Sequence, residues 1–144
     1  MNKEQFIQNV IQWAIDRKII QNGTIEGQRL KLIEEAGELA AAIARNNIDG
    51  IKDAIGDMCV VEVILSKVEK RPGPPLASAG WREPNWDNVR IIQDAIEHME
   101  VGFIDTLAYR YDFALEECWQ AAWDAIKDRR GYMNEQGVFV KEEA

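Results

Sequence analysis

Histidine and cysteine are scarce in this 144-residue sequence, which holds a single His98 and two cysteines, Cys59 and Cys118. No pair of either type stands at ligand spacing, which argues against thiolate or imidazole metal sites. A di-iron carboxylate bundle is disfavoured as well, because Ala95 stands where Glu-x-x-His needs a glutamate before His98. Both cysteines lie in apolar helical patterns and read as buried reduced thiols rather than a disulfide. Long apolar runs are missing too: the longest, Met58 to Leu65, is interrupted by Glu62 and falls far short of a bilayer. The opening Met1-Asn2-Lys3-Glu4-Gln5 has no apolar stretch of the signal-peptide kind, so a cytoplasmic protein without membrane contact is expected. Basic residues are outnumbered, 17 against 25 acidic, and a formal charge of −8 argues against binding duplex nucleic acid or anionic lipid. A small anionic substrate stays open, since a local Lys/Arg cluster or a bridging cation reverses the potential inside one pocket.

Apolar residues at 47% and charged residues at 29% suit a packed globule, and the length suits one domain over residues 1–144. Helical periodicity predicts helices over about Lys3–Gln21, Gly27–Asn46, Ile51–Lys70, Trp86–Tyr111 and Ala114–Arg130. Gly102 is a possible interruption of the fourth. The centre of the third, Val60 to Leu65, is rich in β-branched residues, yet the length of the pattern favours a buried helix over a strand. All four prolines (Pro72, Pro74, Pro75, Pro84) fall between Arg71 and Asn85 together with Gly73 and Gly80, which predicts an irregular loop with Trp81 and Trp86 exposed nearby. A functional lid and a tolerated insertion are both open for it. A short tail, Tyr132 to Ala144, carries Val138-Phe139-Val140. The expected fold is all-α, a bundle of about four to five helices with one long Pro/Gly-rich loop.

Chemistry is concentrated in acidic residues. On the second helix Gln28, Lys31, Glu35 and Glu38 share a polar strip beside the apolar stripe of Leu32, Leu39 and Ile43, with Glu34 farther from its edge. Taken alone, this is also what a solvated face with a Lys31–Glu35 ion pair looks like. On the third helix Asp53 and Asp57 stand one turn apart, and Asp57 leads into an all-round apolar run. An ionised aspartate there needs a cation or donors, unless it caps the helix start in solvent. If the two helices pack together, Glu35, Glu38, Asp53 and Asp57 converge into an all-oxygen site suited to Mg²⁺ or Mn²⁺, able to polarise a phosphoryl oxygen.

At these residues, Lys31-Leu32-Ile33-Glu34-Glu35-Ala36-Gly37-Glu38-Leu39 followed by Asp53-Ala54-Ile55-Gly56-Asp57, the sequence resembles the MazG family of nucleoside triphosphate pyrophosphohydrolases. A second similarity, to short phage-type members, runs from Leu115 to Gly131 and through Gly137-Val138-Phe139-Val140-Lys141. The resemblance implies Mg²⁺-dependent hydrolysis of nucleoside triphosphates to monophosphates and pyrophosphate. It implies Glu35, Glu38 and Asp57 as ligands, and Glu34 as a further ligand or a base acting through water. It also implies Lys127 and Arg130 near the triphosphate, Trp13 or Gln28 near the base, and a homodimer or homotetramer. Arg130 at a helix end also fits a role against the helix dipole, and Trp13, Trp119 and Trp123 read more readily as core than as stacking platforms. Ala54 departs from the family's Glu-x-x-Asp, so Asp53 has to stand in from the neighbouring position. That departure sustains a competing expectation, a non-catalytic helical binding or assembly protein that keeps the fold. The base, the sugar, and whether the nucleotide is canonical or damaged are left open by the sequence.

Overall fold

The computed structural model describes residues 1–77 and 85–142. Among them the chain forms α1 (Lys3–Asp16), α2 (Ile19–Asn22), α3 (Ile25–Ala44), α4 (Ile48–Val68), α5 (Asn88–His98), α6 (Ile104–Arg110) and α7 (Leu115–Ile126). Two short strands, β1 (Gly131–Met133) and β2 (Phe139–Lys141), pair antiparallel near the end. The all-α expectation holds, with more helices than the four or five expected.

Two of the expected helices are broken where the backbone turns left-handed. Lys18 at φ 62° separates α1 from α2; α5 ends on Met99 at φ 53°, and Gly102 at φ 56° follows in the connection to α6, as its sequence position suggested. Helix starts follow side-chain caps. Asn2 Oδ1 accepts the Gln5 N–H at 2.8 Å while Gln5 Oε1 accepts the Asn2 N–H at 2.9 Å, and Thr24 Oγ1 accepts from Gly27 at 3.0 Å. Asn47 Oδ1 caps α4 through the Gly50 N–H at 3.1 Å. Asp57 therefore sits in the body of α4, and the capping role open to it from sequence is excluded.

α3 and α4 form an antiparallel hairpin over the Arg45-Asn46-Asn47 connection and make the most extensive helix contact of the molecule. α4 is the central element. Every residue from Met58 to Ser66 is buried, so the β-branched run is a core helix as its length predicted. One cluster of buried side chains joins Phe6 and Val10 of α1, Leu32 and Leu39 of α3, Ile55 and Leu65 of α4, and Trp119 of α7.

The face of α4 against α7 is set by Gly56. A Cβ there would stand 2.3 Å from the Cys118 carbonyl oxygen and 2.8 Å from the Ala122 Cβ. Backbone cannot yield as a flexible side chain can, so Gly56→Ala is expected to lose about 2 kcal/mol or more of unfolding free energy, read from urea denaturation.

Irregular chain follows α4, as expected from the prolines, over residues 71–77 and 85–87; residues 78–84, and Trp81 with them, lie outside the described residues. Buried Glu62 ties this region down by accepting the backbone N–H of Leu76 and, at 2.8 Å, that of Val101. Trp86 is not exposed as expected. Its ring meets Phe103 edge-on at 5.0 Å, with the Arg90 guanidinium 4.8 Å from its centroid.

The tail also departs from an all-helical picture. Gly137 takes φ 76° in the turn, and Gly137 N–H donates to the Asn134 carbonyl at 3.1 Å. The turn rests on the start of α3, where the Thr24 hydroxyl donates to the Gln136 carbonyl at 2.7 Å and Gln28 Nε2 to that of Gly137 at 3.3 Å. A side chain at 137 is barred by contact as well as by φ, since its Cβ would lie 2.5 Å from the Thr24 nitrogen.

Candidate active site

A cavity of about 550 Å³ lies between the α3–α4 hairpin, Trp13 of α1, the end of α7 and the hairpin strand β2. Its walls follow from the antiparallel pairing of α3 and α4. Glu35 and Glu38 on α3 stand with Asp57 on α4 toward one end, and Gln28 stands with Ile64 toward the other. At about 1.5 Å per residue, Gln28 and Glu38 are roughly 15 Å apart along α3. The cavity is thus long, acidic toward one end and largely apolar toward the other, where Trp13, Ile19, Val60, Val61 and Phe139 contribute.

Glu34, Glu35 and Glu38 form a tight group in which each offers a carboxylate oxygen within 4.8 Å of the others'. Lys31 bridges two of them, at 3.0 Å from Glu34 and 3.3 Å from Glu35. The ordinary ion pair open from the sequence is therefore real, but it does not complete the group. Glu35 Oε2 is buried with no hydrogen-bond partner. A buried carboxylate oxygen without a donor is costly, and Glu35 with Glu34 and Glu38 beside it makes a hard-oxygen donor set that fits Mg²⁺ or Mn²⁺.

The electrostatics point the same way. Burial pushes the Glu35 carboxyl up from 4.5 to about 7, with the Asp57 charge adding to the rise and Lys31 opposing it. Burial likewise pushes Asp57 from 3.8 to about 6, against the pull of Arg129 and with the push of Asp53 and Glu38. Lys31 loses by burial but gains more from Glu34 and Glu35, so its pKa is raised. Lys31 opposes the rise at both Glu35 and Asp57 and Arg129 that at Asp57, yet burial and the mutual repulsion of the carboxylates outweigh them.

Of the ten sequence-derived candidates, seven line the cavity and three do not. Trp13, Gln28, Lys31, Glu34, Glu35, Glu38 and Asp57 all line the cavity. Asp53 does not: it is exposed, and its charge reaches Asp57 and Cys118, on the side of α4 that meets α7. Ala54 is buried in the core, so the position where the family pattern has glutamate holds a packing methyl. Lys127 and Arg130 are exposed outside the cavity, Lys127 lying 3.6 Å from Asp124.

The resemblance implied those two cations near the triphosphate, but the helix expected to run to Arg130 ends at Ile126. Arg17 holds the departing chain, with Nη2 donating to the Lys127 carbonyl at 3.1 Å and Nε to that of Arg129. The side chain brought to the cavity is then Arg129, which sequence reasoning passed over in the run Lys127-Asp128-Arg129-Arg130. The strand residues Val138 to Lys141 were also given no role, though they wall the cavity. Trp119 is core, Trp123 is half-buried, and Trp13 is both, a buried ring whose Nε1 has no partner.

Residues 24–74 match the family model of the MazG nucleotide pyrophosphohydrolase domain. The chain is also 50% identical over 64 residues to an uncharacterized 18.2 kDa protein of the rep-hol intergenic region of Haemophilus phage HP1 (strain HP1c1). That similarity covers 44% of this chain and 39% of the phage protein, so well under two thirds of the relative is spanned. No solved structure gives a significant match. The matched segment, 24–74, builds α3, α4 and the start of the following loop, and over it this chain is similar to the MazG nucleotide pyrophosphohydrolase domain.

Proposed function

We propose that the chain hydrolyses nucleoside triphosphates to nucleoside monophosphates and pyrophosphate with Mg²⁺, or Mn²⁺, as cofactor. The observation that carries this reading is the partnerless buried oxygen of Glu35 within the three-glutamate group, facing a cavity long enough for a nucleotide. Glu35, Glu38 and Asp57 hold the cation, and Asp53 acts on it only through the field at Asp57. When bound, the cation neutralises phosphate charge and favours attack at the α-phosphorus.

The chain's own groups do the rest. Glu34, at the exposed side of the group and 3.0 Å from Lys31, takes the proton of the attacking water. The water oxygen bonds to the α-phosphorus, the bond to the bridging oxygen of the β-phosphate breaks in line, and pyrophosphate leaves with that electron pair. Lys31 and Arg129 face the triphosphate and stabilise charge on its oxygens, the part the resemblance gave to Lys127 and Arg130. Trp13 and Gln28 stand at the nucleoside end. A homodimer or homotetramer in the cytoplasm, acting on free nucleotides, completes the reading.

A panel of ribo- and deoxyribonucleoside triphosphates with Mg²⁺ tests it. Monophosphate and pyrophosphate should appear in equal amounts, and excess chelator should abolish both. Release of inorganic phosphate instead, or no turnover on any triphosphate, would contradict the reading.

A further inference from the structure

The strand β2 walls the cavity in an unusual way. Side chains alternate along a strand, so a pocket on one face meets every second residue. Here four consecutive residues, Val138, Phe139, Val140 and Lys141, line the cavity, and no residue of β1 does. The cavity therefore meets the open edge of β2 rather than a face of the hairpin.

The register fixes which peptide groups lie on that edge. Gly131 pairs with Lys141, Tyr132 with Val140 and Met133 with Phe139. Asn134 N–H donates to the Val138 carbonyl at 2.9 Å and Glu142 N–H to that of Arg130 at 2.8 Å. Hydrogen-bonded and non-hydrogen-bonded pairs alternate in an antiparallel ladder, so the bonded pairs are 130/142, 132/140 and 134/138. The N–H and C=O of Phe139, and those of Lys141, consequently point away from β1. An open edge of this kind is a ready hydrogen-bonding template.

Three further groups stand beside Phe139. Its ring meets Trp13 edge-on at 5.6 Å, and Trp13 Nε1 is buried without a partner. Gln28, 3% exposed, spends Nε2 on the Gly137 carbonyl, while its Oε1 enters no hydrogen bond among the described residues. The N–H and C=O of one residue, side by side on the open edge, complement a nucleobase edge that presents an acceptor and a donor in the matching order, and the apolar walls suit a flat ring.

We infer that the open edge of β2, through the Phe139 N–H and C=O, reads the base edge of the bound nucleotide, making the C-terminal hairpin the specificity wall. This rests on the triphosphate reading above. It follows that base preference is set by backbone, with Trp13 and Gln28 flanking, and that the carboxylate end is indifferent to the base.

Amide hydrogen exchange on the full chain with Mg²⁺ tests the inference, comparing a nucleoside triphosphate whose α,β-bridge is an imido group with inorganic tripolyphosphate. The Phe139 amide should slow at least about tenfold with the nucleotide and stay fast with tripolyphosphate. The Val140 amide, already bonded to Tyr132, is the internal reference. Nucleotide binding that slows amides of α3 near Glu35 while leaving Phe139 fast would overturn the inference alone. No response of α3 or α4 to either ligand would overturn the triphosphate reading, and this inference with it.

Discussion

Glu35→Gln and Asp57→Asn should each lower turnover by about a thousandfold or more, yet leave the metal-free protein more stable than the parent. Loss of turnover follows from removing a charged oxygen ligand where the transferred group gathers charge, an effect of about 10²–10³-fold or larger. Gain of stability follows from burial. Both carboxyls are held above their ordinary values by desolvation first, so their charged forms oppose folding at neutral pH. A neutral amide of the same shape removes that opposition. In a chain of 144 residues each kcal/mol regained corresponds to a rise of roughly 2–4 °C in melting temperature. A merely structural glutamate would give the reverse pair, activity kept and stability lost. Parental turnover in Glu35→Gln would remove the ligand assignment.

The second large effect is a pH-dependent response to metal. With Glu35 raised from 4.5 to about 7 and Asp57 from 3.8 to about 6, the folded state keeps protons that the unfolded chain releases between those limits. Metal-free stability contributed by these groups is therefore full below about pH 4 and falls as pH rises to about 7. For Glu35 the loss is on the order of 3 kcal/mol at about 1.4 kcal/mol per unit, and the Asp57 part does not simply add, because the two charges repel each other. Mg²⁺ binds the deprotonated carboxylates and stabilises the folded state by mass action. Millimolar Mg²⁺ should raise the melting temperature by several degrees at pH 8 and by less than about 1 °C at pH 5. Equal shifts at both values would mean that the cation binds elsewhere.

Much of this was legible in the residues. The apolar stripes fixed the pairing of α3 with α4, because helices of about twenty residues joined by three can bury such stripes only against each other. That Glu35, Glu38 and Asp57 border the core at one place followed from helical phase, which short-range geometry controls, while their role as ligands came from the resemblance. What failed depended on events beyond one helix. Left-handed Lys18 and Met99 end helices, and neither residue type carries a sequence signal for it. Arg129 turns inward because Arg17, more than a hundred positions away, grips the chain after α7. Asp53 shares a helical face with Asp57 but lies one turn nearer α7, and a spacing of four residues cannot tell the two sides apart. The hairpin's place beside the apolar end of the cavity came from long-range bonds of Thr24 and Gln28 to its turn, for which the tail sequence offers only Gly137 as a clue.

The central claim is that carboxylates of α3 and α4 share one divalent cation, and paramagnetic broadening by substoichiometric Mn²⁺ tests it most directly. The account predicts one site per chain, with amide signals near Glu35 and Glu38 and those near Asp57 lost together, and weaker broadening of both sets in Asp57→Asn. Broadening confined to α3 and unchanged in that variant, or none at all, would contradict it.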